Sequence, residues 1–184
     1  MAREQRAFAK TWRDWSLQRQ EATTALLAGV NDPVAFGQVY PHPMRVTEQA
    51  AKLKSQHLSI FADEWSAWLG TPVTDHLRLG EAARYRGGID EVVRLANAGR
   101  PEWRISGRAW DNLRDSAAER IVLVDAAGRV VGYGLSGFAP KEGGLGRSGW
   151  RGHFSAERAV AITAYALVDQ QREACPLAGW SASP

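Results

Sequence analysis

Ile121-Val122-Leu123-Val124-Asp125-Ala126-Ala127-Gly128-Arg129-Val130-Val131-Gly132-Tyr133-Gly134 is the stretch that decides the fold. Ile121 to Val124 is a short apolar run rich in β-branched residues, which pack well on a pleated surface. Asp125 to Arg129 supplies a hairpin loop, with Gly128 where a positive φ is needed. Val130 to Gly134 returns as the partner strand. Outward from this hairpin, Glu102 to Trp110 alternates Trp103, Ile105, Gly107 and Ala109, a strand with one face turned inward. Trp150 to Phe154 and Ala159 to Val168 predict two more strands.

Residues 155–174 carry two signals. Ser155-Ala156-Glu157-Arg158 suits a helix start and many helix formers follow. Val160, Ile162, Thr163, Tyr165 and Val168 favour a strand. The reading adopted is a strand to about Asp169, then a polar turn through Gln170-Gln171-Arg172-Glu173. Strands at short spacing with Gly-rich turns predict a mainly β fold, an antiparallel β-sandwich of Ig-like or jelly-roll-like kind, over residues 76–184.

Residues 1–75 read as a helical segment. Phe8, Trp12, Trp15, Ala22 and Leu26 share one face of a helix over 3–29, with Arg3, Arg6, Lys10, Arg13 and Arg19 on much of the rest. Gly29 and Asn31-Asp32-Pro33 end it. A second helix is expected over Met44–Gln56 and a short one over Ala62–Leu69. The first helix either packs on its own domain or lies near lipid headgroups as a juxtamembrane element. Phe8, Trp12 and Trp15 are its candidate interaction surface.

Composition excludes several classes. Of 184 residues, 45% are hydrophobic and 23% charged, the balance of a folded chain. Lys plus Arg is 23 against 20 Asp plus Glu, a net charge of +3. Bases alternate with acids throughout, so no nucleic-acid partner is expected. The one cysteine, Cys175, rules out an intrachain disulfide and is expected as a buried thiol. No apolar run is long enough to span a bilayer. The N-terminus has charges but no apolar core of a secretory signal, which on its own predicts a cytoplasmic protein if Met1 is the true start.

The motifs of the chain carry little chemistry. Gly144-Leu145-Gly146-Arg147-Ser148-Gly149 matches G-x-G-x-x-G, but it follows a loop, and too few residues separate it from the apolar run ending at Asp169 for a dinucleotide-binding unit. No cofactor is expected. His42, His57, His76 and His153 are scattered, with no metal-ligand spacing. There is no nucleophile elbow around Ser106, Ser136 or Ser148. Asp111 and Asp115 flank one expected loop, and Asp90-Glu91 lies in another. No catalytic residue is assigned.

Val39-Tyr40-Pro41-His42-Pro43, Leu53 and His57-Leu58-Ser59-Ile60-Phe61 form a pattern, as do Ile105-Ser106-Gly107-Arg108-Ala109-Trp110-Asp111, the 121–134 hairpin and Ser148-Gly149-Trp150-Arg151-Gly152. Together they resemble the extracytoplasmic C-terminal tail of bacterial polytopic membrane proteins of the glycosyltransferase, mannosyltransferase-like kind. The resemblance covers residues 35–178 and departs at Arg108, where the pattern has tryptophan. It implies a periplasmic or extracytoplasmic setting, tethered through a membrane-embedded part of the same polypeptide, and carries over no catalytic residues.

The expectation is therefore a non-catalytic module that contacts a glycan or an envelope partner. Trp110 with Asp111 and Asn112, and Trp150 with Arg151, are its candidate contacts, since each pairs an aromatic face with polar groups. For Trp110 and Trp150 a place in the core is the stronger reading. The alternatives are a small glycan-active hydrolase or transferase using Asp and Glu, and a purely structural interaction domain.

Overall fold

The computed structural model describes residues 2–40, 42–96, 100–140, 146–157, 161–168 and 172–177, without the side chains of residues 2–10, 43 and 44. Its helices are α1 (Ala2–Ala28), α2 (Pro33–Gly37) and α3 (Pro43–Ser55). Its strands are β1 (Arg78–Leu79), β2 (Tyr85–Arg94), β3 (Glu102–Asp111), β4 (Ser116–Ala117), β5 (Arg120–Val124), β6 (Val130–Phe138), β7 (Gly149–Ser155), β8 (Thr163–Val168) and β9 (Glu173–Pro176). The protein is mainly β, with an N-terminal helical segment.

The hairpin β5–β6 lies mid-sheet, with β8, β9 and β1 on one side and β7, β3 and β2 on the other. Every pairing is antiparallel except the short β1–β9 edge, which is parallel. Gly128 takes φ +77° in the β5–β6 loop, where a side chain would be strained. All nine strands belong to one sheet. It curls, with register shifts in β2, β5 and β6, so that the β2 edge comes near β8.

Strand alternation sorts the core into two faces. Ile105, Ala109, Ile121, Leu123, Trp150 and Phe154 point to the inner side of the curl. Val122, Val124, Val130 and Tyr133 point outward and pack under Ala25, Leu27 and Trp65 of the helical segment. The Tyr133 hydroxyl donates to the Trp65 carbonyl at 2.8 Å, which ties the two parts together. Residues of the 1–75 segment thus share a core with strands of the 76–184 segment.

Helix α1 ends near the expected place because Gly29 adopts φ +65° and its N–H donates back to the Leu26 carbonyl. The structure corrects three expectations. Only Glu64–Ala67 of the expected helix over 62–69 is helical, as a single 3₁₀ turn after another at Ser59–Phe61. Asp90 and Glu91 lie in β2 and not in a loop. As an edge strand with a bulge between Ile89 and Glu91, β2 lacks the clean two-residue alternation that marks a half-buried strand. Glu173 opens β9 and does not close a turn. In the contested segment, Thr163–Val168 is a strand, as β-branching indicated, while residues 158–160 and 169–171 lie outside the described residues.

Candidate functional site

Helix α1 covers the outer face of β6 and β7, and there the chain buries charge. The Asp32 carboxylate is 0% exposed. Its Oδ1 accepts the Val34 and Ala35 N–H groups at 3.0 and 3.1 Å, which caps α2. Its Oδ2 accepts Arg104 Nη2 at 2.6 Å, Arg104 Nε at 3.0 Å and His153 Nε2 at 2.9 Å. Burial would raise the carboxyl's pKa, but these donors outweigh it and hold Asp32 far below the ordinary carboxylate range. An ionised carboxylate only accepts, so His153 carries a proton on Nε2.

On the other side of the ring, His153 Nδ1 meets the Thr24 hydroxyl at 2.8 Å. Hydroxyl, imidazole and carboxylate stand in the order of a nucleophilic relay. All three are 0% exposed, however, and the Thr24 hydroxyl also lies 2.9 Å from the Glu21 carbonyl in its own helix. A nucleophile that substrate cannot reach does no chemistry, so this is a clamp between α1, α2 and the sheet. Arg151 extends it by pairing with Glu21 at 2.9 Å.

A cleft of about 340 Å³ opens where the 3₁₀ turn Glu64–Ala67 faces β4, β5 and the end of β8. Trp65, Trp68 and Tyr85 contribute aromatic wall, and Asp63, Glu64, Asp111 and Glu119 bring carboxylates from three separate places along the chain. Three of these carboxylates have arginine partners. Asp63 pairs with Arg120 at 3.0 Å, Glu64 with Arg172 at 3.3 Å and Asp111 with Arg84 at 3.0 Å.

Asp111 is the buried member of the set. Burial pushes its pKa up, but Arg84 and the N–H groups of Leu113 and Arg114 bring it below the ordinary value. Burial and the neighbouring Asp111 push the Tyr85 phenol the other way, to about 12. At neutral pH the cleft therefore presents an ionised Asp111 and a neutral Tyr85. A carboxyl held ionised by its partner is a poor general acid and a good hydrogen-bond acceptor. Arg120 also lies 4.8 Å from the centre of the Trp65 ring. Trp68 Nε1–H, 5.0 Å from stacking partner His76 between ring centres, finds no acceptor among the described residues.

The expected contact residues do not converge. Trp110 and Asp111 are neighbours on β3, and successive residues of a strand face opposite ways. Asp111 points inward to the cleft and is 1% exposed. Trp110 points outward, half-buried, with Nε1 donating to Asp115 Oδ1 at 3.2 Å. Asn112 is exposed and donates from Nδ2 to the Ala83 carbonyl. Trp150 and Arg151 split the same way, Trp150 into the inner core at 1% exposure and Arg151 outward to Glu21.

Of these five, only Asp111 lines the cleft. Trp65, Trp68, Glu119 and Arg120 also line it; eight tryptophans in 184 residues are a sequence signal toward the two indoles, and nothing local marks Glu119 or Arg120. On α1, Trp12 and Trp15 are 57% and 55% exposed, while the Phe8 side chain lies outside the described residues. Cys175 is buried, as its apolar setting implied. Among the described residues no group of three or more His, Cys, Asp and Glu is placed to hold a metal ion. No protein-family model, curated protein or solved structure matches the chain.

Proposed function

We propose that the protein is a non-catalytic β module of a bacterial membrane protein, set outside the cytoplasm, that binds an envelope glycan in the cleft beside Trp65. The same reading treats the curled sheet as a sandwich of Ig-like or jelly-roll-like kind, with β2, β3 and β7 as one layer and β5, β8 and β9 as the other. One observation carries the functional part. The cleft gathers aromatic wall, carboxylates and guanidinium groups, the polar and flat surfaces that sugars use, yet three of its carboxylates are already neutralised by arginine. That favours recognition over the acid–base work of a glycosidase, which needs one carboxyl kept protonated.

The test is intrinsic tryptophan fluorescence titrated with a panel of bacterial envelope sugars. A saturable shift with at least one sugar is expected, because Trp65 and Trp68 line the cleft. Glu119→Gln and Arg172→Ala should weaken it about tenfold, roughly the worth of one charge-assisted hydrogen bond. Both residues are exposed, so the fold should be unaffected. No shift across the panel, or a shift unchanged in both variants, would remove this reading.

A further inference from the structure

The face of α1 that carries Trp12, Trp15, Ala22 and Leu26, with Arg19 between Trp15 and Ala22, is covered at one end only. At the C-terminal end Ala22 is 4% exposed and joins the core with Leu26, beneath Phe61 and Ala50. One to three turns earlier, residues 11–16 are all exposed, Trp12 and Trp15 among them. The sheet is not on that side. Leu17 and Gln20 approach Gly137 of β6, and Glu21 and Thr24 reach β7, all on the helix face opposite Trp12 and Trp15. The two indoles pack edge to face, 6.4 Å between centres, and the Arg19 guanidinium lies 5.7 Å from the Trp15 ring. Together they form an exposed aromatic ledge with a cation over one ring.

Charge says what it fits. Residues 1–20 hold Arg3, Arg6, Lys10, Arg13 and Arg19 against Glu4 and Asp14, a net +3. The whole chain is also +3, so residues 21–184, with eighteen basic and eighteen acidic groups, are neutral. The protein's positive excess therefore equals that of its first twenty residues, the part of the chain that carries the exposed indoles. By helical spacing, Arg3, Arg6, Lys10 and Arg13 fall opposite the Phe8, Trp12 and Trp15 stripe. Tryptophan on one face with Lys and Arg on the other is the pattern of a helix lying in a membrane–water interface. Indole suits that layer because its ring is apolar and its N–H is polar.

We infer that the N-terminal half of α1 binds an anionic lipid surface directly, with Trp12 and Trp15 at headgroup depth. This stands independently of the cleft, since the surface needs no sugar.

The experiment is flotation of the full chain with vesicles of phosphatidylcholine, alone or with phosphatidylglycerol at about a third of the lipid. Binding is expected only with phosphatidylglycerol, with a blue shift of tryptophan emission, and is expected to fall when salt is raised. Trp12→Gln with Trp15→Gln should reduce it tenfold or more. Arg13→Glu should reduce it at least fivefold, at roughly that factor for each basic residue near the surface. Circular dichroism should be unchanged in both. Equal binding to phosphatidylcholine alone, no binding to either vesicle, or a concentration-dependent dimer lost in the tryptophan variant would overturn the inference. The dimer would identify a second copy as the occupant. Sugar titration of the same samples separates this result from the fate of the cleft.

Discussion

Asp32→Ala is expected to lower the unfolding free energy by about 3–5 kcal/mol at pH 7, the cost of removing one partner from a buried ion pair. Arg104 and His153 would lose their common acceptor, and α2 would lose its cap. Asp32→Asn should do almost as badly, since five N–H donor contacts converge on the two carboxylate oxygens and an amide offers one oxygen. The pH dependence has a definite sign. The Asp32 pKa is depressed in the folded state, so its contribution is fully present above the ordinary value of 3.8. It is lost as pH falls from there through the lower folded-state value. Urea unfolding between pH 2 and pH 7 should show a gap between parent and variants that is constant near neutrality and narrows as pH falls below 3.8. A loss under 1 kcal/mol at pH 7, or a gap that widens with acid, would mean that the clamp does not hold α1 and α2 to the sheet.

Trp150→Ala carries the second large effect, again about 3–5 kcal/mol, the range for deleting a buried aromatic ring. The indole lies across the strands on either side because those strands have glycine there. A Cβ on Gly107 would stand 2.6 Å from it and one on Gly134 3.1 Å. No smaller side chain fills that space, so a cavity remains. Trp150→Phe should lose much less, since Trp150 Nε1 makes no hydrogen bond among the described residues and an aromatic ring is kept. Thermal unfolding of both variants decides the matter. If Trp150→Ala folds with parent stability but binds sugar weakly, the residue is a ligand contact and not a core residue.

The elements that were legible in the sequence are those whose signal is local. The 121–134 hairpin needs only β-branched runs and a glycine turn. Helix α1 needs only spacing and Gly29, and both appear where expected. Strand β2 was illegible because an edge strand need not alternate. Its charged residues suit solvent, and its bulge breaks the period.

The candidate site was less legible for a related reason. Residues adjacent in a strand are opposed in space, so Trp110 with Asp111, and Trp150 with Arg151, look like pairs only in one dimension. The cleft is assembled from the 3₁₀ turn at Glu64, the end of β3, the start of β5 and Arg172, which lie far apart along the chain. His153 shows the same limit: next to Gly152 and Phe154 it reads as an ordinary strand residue. Its partners Thr24 and Asp32 lie 129 and 121 residues away.

By itself, then, the sequence determined the helical start, the β-rich remainder and the buried thiol. These follow from short-range periodicity, side-chain size and simple counting. Tertiary structure alone decided that the strands join in one curled sheet, that Asp32 and His153 are buried together, that Trp150 is core, and that Trp12 and Trp15 remain in water. Each of those depends on which faces meet after the chain has closed on itself, and facing is a property of pairs of segments that no single segment encodes.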